Sequence, residues 1–132
     1  MTVFVDTSAF YALFDQDDQN HDRAKMQLDD LLAREEDLVS TNYVLVETIS
    51  LLQRRIGSGA VTDFENHMKL ALRTIWVDES AHEAGMNALL LANRTRLSPV
   101  DCVSFTTMRR LNLATAFAFD RHFAEQGFEC IP

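Results

Sequence analysis

The chain has 132 residues, of which 47% are hydrophobic and 24% are charged, and we expect one folded domain over residues 1–132. Its two cysteines, Cys102 and Cys130, are too few for a disulfide framework or a structural zinc site. The net charge of −8 excludes a basic face large enough for tight nonspecific binding to duplex nucleic acid.

The N-terminal segment lacks the features of a targeting signal. Residues 1–6 contain no basic region and no long apolar stretch, so we expect no signal peptide. No apolar run elsewhere approaches the roughly 18 residues that a membrane span needs. We therefore expect a cytoplasmic protein that has no membrane partner.

Short apolar runs alternate with longer helical patterns along the chain. Strands are predicted at residues 3–5, 38–40, 74–77, 115–119 and 128–131. Helices are predicted at residues 7–14, 21–34, 42–56 (with Asn42 as the cap), 61–72, 80–93, 98–111 and 121–125. Strands separated by helices pair in parallel through crossover connections. The pattern therefore predicts a three-layer α/β/α domain with a small, mostly parallel central sheet.

Acidic residues directly follow two of the predicted strands. Asp6 follows the first strand, and Asp120 follows the fourth. Because parallel strands end at the same edge of a sheet, where open α/β sheets bind ligands, we expect both carboxylates at that edge. Asp101 lies in the first turn of the sixth predicted helix, and Glu47 lies early in the third.

Helical periodicity predicts different surroundings for Asp101 and Glu47. The face of Asp101 is shared by Ser104, Phe105 and Met108. That carboxylate is therefore expected to point inward, where it needs compensation such as a divalent cation. The apolar side of the Glu47 helix consists of Leu45, Ile49, Leu52 and Ile56. Periodicity alone therefore predicts a solvated Glu47, in a loose pair with Arg54.

Three of these acidic residues also have an ordinary structural interpretation. Asp6 and Asp120 could be the N-caps of the helices that follow them. Asp101 stands three residues after Ser98 and could form a capping box with it. The positive end of a helix dipole would favour all three carboxylates.

Taken together, the four carboxylates suit a metal site. Oxygen ligands select Mg²⁺ or Mn²⁺, and a cluster of Asp and Glu is typical of one- or two-metal phosphoryl transfer. A separate nucleophile is not needed, because a bound metal lowers the pKa of its water. Thr7 and Ser8 could hydrogen-bond a carboxylate or a phosphate there, or could simply satisfy the start of a helix.

These residues stand in the order and spacing of a known family. The matching segments are residues 3–10, Glu47, residues 97–101 and residues 119–123. Over nearly its whole length the chain resembles a PIN-domain ribonuclease, and most of all the VapC-type toxins of type II toxin–antitoxin pairs. The resemblance implies a Mg²⁺- or Mn²⁺-dependent endoribonuclease that acts on single-stranded or structured RNA.

The resemblance also implies roles for individual residues. The core metal-binding and catalytic carboxylates would be Asp6, Glu47 and Asp101. Asp120 would be the fourth, bound directly or through water, and Thr7 or Ser8 would support the site. In this interpretation Glu47 borders the acidic cleft rather than the solvent. Many relatives have Thr where this chain has Ala118, so one supporting hydroxyl is missing.

Basic residues beside the acidic motifs are candidates for contacts with RNA. They are Arg94, Arg96, Arg121 and His122. Arg109 and Arg110 are interpreted as solvated. The resemblance further implies two protein partners. One is a small antitoxin that inserts an Arg into the acidic pocket, and the other is a second copy of the chain. The apolar helices of residues 44–56 and 61–72 could form the interface between the two copies, or could simply belong to the core.

Other functional classes fit the sequence less well. Receiver domains and haloacid-dehalogenase-like phosphatases use a late Lys, but the last Lys here is Lys69. The phosphatases also need an Asp where Ser8 stands. A dinucleotide-binding oxidoreductase is excluded because no Gly-x-Gly-x-x-Gly follows a strand. One alternative stays open, a catalytically weak or inactive PIN-fold module that binds RNA or protein. Ala118 favours this alternative, and the four carboxylates argue against it.

Overall fold

A computed structural model describes residues 1–93 and 96–132. Within them, parallel strands form one sheet in the order β3-β2-β1-β4-β5. The strands are β1 (Thr2–Val5), β2 (Asp37–Thr41), β3 (Arg73–Ile75), β4 (Thr115–Phe117) and β5 (Glu129–Ile131). The α-helices are α1 (Thr7–Phe14), α2 (His21–Ala33), α3 (Asn42–Arg55), α4 (Ser58–Asp63), α5 (Glu79–Ala92), α6 (Pro99–Arg110) and α7 (His122–Glu125). The predicted three-layer fold is confirmed, and every strand pairing in the sheet is parallel.

The central strand β1 forms the middle of the core. Val3, Phe4 and Val5 are fully buried, because helices cover both faces of the sheet. Phe123 of α7 is also fully buried and packs against Phe4, with the ring centroids 6.3 Å apart. In the described part of the chain, no helix is both long enough and apolar enough to cross a membrane.

Two strands end earlier than predicted. The fourth strand ends at Phe117 rather than at residue 119, because Phe119 N–H donates to the Ser8 hydroxyl (2.9 Å) instead of joining the sheet. The third strand ends at Ile75 rather than at residue 77, because Val77 N–H donates to the Asn42 side chain (2.7 Å). In both cases a side chain from another element accepts a hydrogen bond from the backbone N–H group two residues after the last strand residue.

Two helical predictions were wrong in detail. Thr41, not Asn42, caps α3, and its hydroxyl accepts from Val44 N–H (3.2 Å). The helix predicted at residues 61–72 starts earlier, as α4, and then passes into a π-helical turn (Phe64–Met68) and a 3₁₀ turn (Lys69–Ala71). The change of helix type coincides with the burial of both ends of the π-helical turn in the core.

Gly85 in α5 leaves no room for a side chain. A Cβ there would lie 2.4 Å from Val103 Cγ2 and 3.1 Å from Val103 Cα, in α6. We expect Gly85→Ala to lower the free energy of unfolding by about 1–3 kcal/mol, because α5 and α6 must separate. Adding Val103→Ala should restore part of this loss. The measurement is urea unfolding of the purified variants.

Gly59→Ala is the matched control for this prediction. Gly59 lies in α4, and a Cβ there meets no atom within 4 Å. Alanine at this position should raise the free energy of unfolding by up to about 1 kcal/mol. If Gly85→Ala were as stable as the parent protein, the close packing of α5 on α6, which carries Asp101, would be refuted.

Candidate active site

An acidic cavity opens at the carboxyl ends of β1 and β4. These strands are neighbours in the sheet, and Asp6 N–H donates to Phe117 C=O (3.0 Å) just beyond β1. The cavity has a volume of about 320 Å³. Its walls are formed by Asp6, Thr7, Ser8, Tyr11, Asp18, Asn20, Glu47, Leu51, Arg55, Asp101, Phe119 and Asp120. The four carboxylates predicted from the sequence therefore converge on one cavity.

Asp6 is held in place by the first turn of α1. It is the N-cap of that helix, and its carboxylate accepts from Ser8 N–H (3.0 Å) and from the Ser8 hydroxyl (2.6 Å). The Ser8 oxygen also accepts from Phe119 N–H (2.9 Å). Ser8 thus joins Asp6 to the segment that carries Asp120. Capping and a place in the cavity are compatible, so the two interpretations of Asp6 are not alternatives.

Asp101 also combines a cap with a place in the cavity. It forms a capping box with Ser98, in which Asp101 N–H donates to the Ser98 hydroxyl (3.0 Å) and Ser98 N–H donates to the Asp101 carboxylate (3.1 Å). These bonds fix the carboxylate at the start of α6. The other residues predicted on its helix face, Ser104, Phe105 and Met108, are buried.

Glu47 is half-buried in the cavity wall, so the interpretation of this residue as solvated was wrong. The buried residues of α3 are Val44, Thr48 and Leu52. The buried stripe is therefore shifted from the one that the helical wheel predicted, and Ile56 is 47% exposed. Glu47 lies beside this stripe and reaches the cavity because α3 packs against α1 and α6, whose first turns carry Thr7, Ser8 and Asp101.

Asp120 lies in a turn beyond β4 rather than directly after the strand. Its carboxylate accepts from His122 N–H (2.9 Å), and its backbone C=O accepts from Phe123 N–H (3.3 Å). The N-cap residue of α7 is Arg121, whose side chain forms no cap hydrogen bond, so the interpretation of Asp120 as that N-cap was wrong. The His122 ring returns toward the same carboxylate, with Nδ1 3.0 Å from Asp120 Oδ1.

Burial and mutual repulsion raise the pKa values of three cavity carboxylates, those of Asp6, Glu47 and Asp101. Burial raises the pKa of Asp6 from 3.8 to about 7, against the effect of the Ser8 hydrogen bonds, and the charges of Asp101 and Asp120 add to the rise. Burial likewise raises the pKa of Glu47 and of Asp101, and the charge of Asp120 adds to both. A nearby cation would favour the anionic forms.

Buried polar atoms without partners also fit a metal site. Thr7 Oγ1 and His122 Nδ1 are buried and form no hydrogen bond with the described residues. The Thr7 hydroxyl lies near enough to Glu47 to lower the pKa of that carboxyl, but outside hydrogen-bond geometry. Native proteins leave few buried polar atoms without a partner. Carboxylate oxygens, a hydroxyl and an imidazole in one place are suited to a divalent cation and its bound water.

One group of ligand atoms is particularly compact. Oxygen atoms of Asp101 and Asp120 and a ring nitrogen of His122 all lie within 4.8 Å of one another. Asp6 and Glu47 line the same cavity but are not part of this group, the one such group found among the described residues. His122 was predicted as an RNA contact, and the structure places it beside the carboxylates.

Two other predicted RNA contacts, Arg96 and Arg121, lie outside the cavity wall. Arg96 is exposed, and Arg121 forms an exposed ion pair with Glu125 at 3.6 Å. Arg94 lies outside the described residues. Ala118 is buried and supplies no hydroxyl. The hydroxyl that links the Asp6 segment to the Asp120 segment is that of Ser8.

The sequence-based analysis missed Arg55 and Tyr11. Arg55 is the cation among the described residues of the cavity wall, and its guanidinium lies 5.3 Å from the centroid of the Tyr11 ring. Helical spacing contained the signal, because Glu47, Leu51 and Arg55 are separated by four residues each and share one face of α3. This signal becomes usable only when Glu47 is known to face the cavity.

Comparisons with known proteins give consistent results. The sequence profile of the PIN domain family matches residues 3–129. The 23S rRNA-specific endonuclease VapC20 of Mycobacterium tuberculosis is 35% identical over 128 residues, which are 96% of this chain and 95% of that protein. The crystal structure of that species' VapC20, a Sarcin-Ricin loop cleaving toxin, superposes with a TM-score of 0.86 at 32% identity, over 98% of this chain and 99% of that chain. VapBC2 from Rickettsia felis, bound to promoter DNA, shares the fold at 14% identity, with a TM-score of 0.72 over 98% of this chain and 97% of that chain.

Proposed function

Since the chain belongs to the PIN-domain family, we propose that it is a Mg²⁺- or Mn²⁺-dependent endoribonuclease that hydrolyses RNA phosphodiester bonds in the acidic cavity. The observation that carries the proposal is the convergence of Asp6, Glu47, Asp101 and Asp120 on one cavity. The raised pKa values of Asp6, Glu47 and Asp101 support it, because burying these carboxylates together is costly without a cation. A module that only binds RNA or protein has no need of such repulsion.

The cavity residues would have two kinds of role, metal binding and the positioning of the metal-binding carboxylates. Asp6, Glu47, Asp101 and Asp120 would hold the divalent cation, which supplies an activated water and neutralises charge on the phosphate. Ser8 positions Asp6 through its hydroxyl and ties it to the Asp120 segment. The capping box fixes Asp101. Because these bonds exist before substrate arrives, little reorganisation is needed during the reaction.

We propose 23S rRNA, and its sarcin–ricin loop in particular, as the first substrate to test. VapC20, 35% identical over 96% of this chain, is a 23S rRNA-specific endonuclease. Purified protein should cleave an RNA oligonucleotide of that loop with Mn²⁺ or Mg²⁺ and should stop when EDTA is added. Cleavage of a mixed RNA pool but not of the loop would refute only this substrate. If folded, inhibitor-free protein cleaved no RNA, the binding-module alternative would replace the proposed function.

Arg55 is proposed to bind an RNA phosphate at the rim of the cavity. Arg55 is exposed, and its guanidinium lies over the Tyr11 ring, 5.3 Å from the ring centroid. A charge-assisted bond to phosphate is worth about 1.5–3 kcal/mol, so Arg55→Gln should raise KM about tenfold or more, with a smaller change in kcat. Arg54→Gln is the matched control, because Arg54 is the adjacent exposed residue of α3 and does not line the cavity. Equal effects of the two variants on KM would contradict the assignment.

An antitoxin is the proposed protein partner, as in toxin–antitoxin pairs. An apolar groove of about 440 Å³ adjoins the cavity at Glu47. Its other lining residues are Asn42, Tyr43, Val46, Pro99 and Val100. An apolar antitoxin segment in this groove could carry an Arg into the acidic cavity, where it would replace the charge of the metal. The proposed function places the pair in the cytoplasm.

A homodimer is also proposed, through the exposed apolar residues of the two helical segments predicted for it. Ile56 is 47% exposed and Leu70 is 88% exposed. Exposed apolar residues mark a candidate interface where they form one contiguous patch. Light scattering after size-exclusion chromatography measures the mass directly, and Leu70→Glu should convert a dimer to a monomer.

A further inference from the structure

His122 is held against the acidic cavity by the main chain and by the core. Asp120 accepts from His122 N–H (2.9 Å), and the next residue, Phe123, is fully buried. The Phe123 ring packs on Phe105, with the centroids 4.9 Å apart. The buried Phe123 and the turn at Asp120 together hold His122 in place. The His122 side chain is 17% exposed.

The orientation of the imidazole leaves one nitrogen without a hydrogen bond. His122 Nδ1 is buried, and it lies 3.0 Å from Asp120 Oδ1 but outside hydrogen-bond geometry. Two donor atoms in adjacent positions of an octahedral ion, with bonds of about 2.1 Å, also lie about 3 Å apart. An oxygen of Asp101 belongs to the same group of atoms, within 4.8 Å. The separation therefore suits two ligands of one cation.

We propose that His122 Nδ1 is a ligand of the divalent cation, beside Asp101 and Asp120, and that this nitrogen makes the site prefer Mn²⁺ over Mg²⁺. Mg²⁺ is a hard cation that selects oxygen ligands, whereas an imidazole nitrogen increasingly favours transition metals. The cavity carboxylates supply only oxygen ligands. His122 is therefore the residue that would shift the preference of the site from Mg²⁺ to Mn²⁺. The inference rests on the proposed function, because it requires that the cavity binds a divalent cation.

Metal binding without RNA tests the inference separately from activity. Calorimetry at constant pH gives the Mn²⁺ affinity, and competition gives the Mg²⁺ affinity. His122→Asn should weaken Mn²⁺ binding by about tenfold or more and should change Mg²⁺ binding much less. His122→Asp should retain binding but shift the preference toward Mg²⁺, because it exchanges nitrogen for oxygen. Circular dichroism confirms that each variant is folded.

Pulsed electron paramagnetic resonance gives a direct readout of the bond. Bound Mn²⁺ in the parent protein should show a coupling to an imidazole ¹⁴N nucleus, and His122→Asn should abolish that coupling. His67→Asn is the control, because His67 is exposed and its Nδ1 lies 3.0 Å from the Asp63 carbonyl. The coupling should persist in this variant.

The outcomes distinguish a failure of the His122 assignment from a failure of the proposed metal-dependent function. If the parent protein binds Mn²⁺ but shows no ¹⁴N coupling, or if His122→Asn binds it as tightly as the parent does, His122 only positions Asp120. The metal-dependent nuclease would still stand in that case. If the parent protein binds neither Mn²⁺ nor Mg²⁺, the metal site itself fails, and the assignment of His122 fails with it.

Discussion

Asp101→Asn is expected to lose metal-dependent RNA cleavage by at least about 100-fold at saturating Mn²⁺, because a metal site contributes several kcal/mol to phosphoryl transfer. The substitution removes a charge and little else. The Asn oxygen can still accept from Ser98 N–H, as the carboxylate does at 3.1 Å, so the capping box and the start of α6 should persist. The loss is therefore attributable to the missing anionic ligand and not to unfolding.

The matched control is Asp78→Asn. Asp78 is exposed and caps α5, and its carboxylate accepts from Ala81 N–H (2.9 Å). Asp78→Asn removes the same charge as Asp101→Asn, and both residues cap a helix, but Asp78 does not line the cavity. This variant should cleave RNA at the parent rate. If Asp101→Asn retained full activity in preparations where EDTA abolishes it, either the site would be misplaced or a contaminating nuclease would be responsible.

Asp6→Asn is expected to abolish cleavage and, in EDTA, to make the fold more stable. The pKa of Asp6 is about 7 in the folded protein, against an ordinary value of 3.8. Between these pH values the folded chain holds a proton that the unfolded chain has released, so stability falls as pH rises through this window. The corresponding free energy is about 4 kcal/mol above pH 7. Asn removes this cost while still accepting from Ser8.

Thermal or urea unfolding in EDTA at several pH values measures this effect. The parent protein should lose stability between about pH 4 and about pH 7 and then level off, and Asp6→Asn should show a flatter profile and a gain of up to about 4 kcal/mol at pH 8. Glu47 and Asp101 keep a smaller slope of the same sign, because their pKa values are also raised. Asp78→Asn should show no such gain. An Asp6→Asn protein less stable than its parent at pH 8 would refute the electrostatic argument.

Local signals were enough to place three of the four carboxylates. Asp6 follows a buried apolar strand, and Asp101 follows the Ser-Pro start of a helix, so each could be put near the edge of the sheet from its neighbours in sequence. Asp120 was placed at the correct edge, although β4 ends earlier than its apolar run. The end of that strand depends on the Ser8 hydroxyl, which is distant in sequence from Phe119 and takes its N–H group.

The amino-acid sequence alone thus determined the order of strands and helices, the parallel sheet and the edge at which the acidic residues meet, because periodicity and capping are local properties. The family resemblance placed Glu47 at the acidic cleft, but helical periodicity did not. Only the tertiary structure decided that Arg55 faces the cavity and that His122 joins Asp101 and Asp120. A helical wheel gives the angles between side chains but not the direction in which any of them points. That direction follows from how α3 packs against α1 and α6, and from how the buried Phe123 anchors the turn after Asp120.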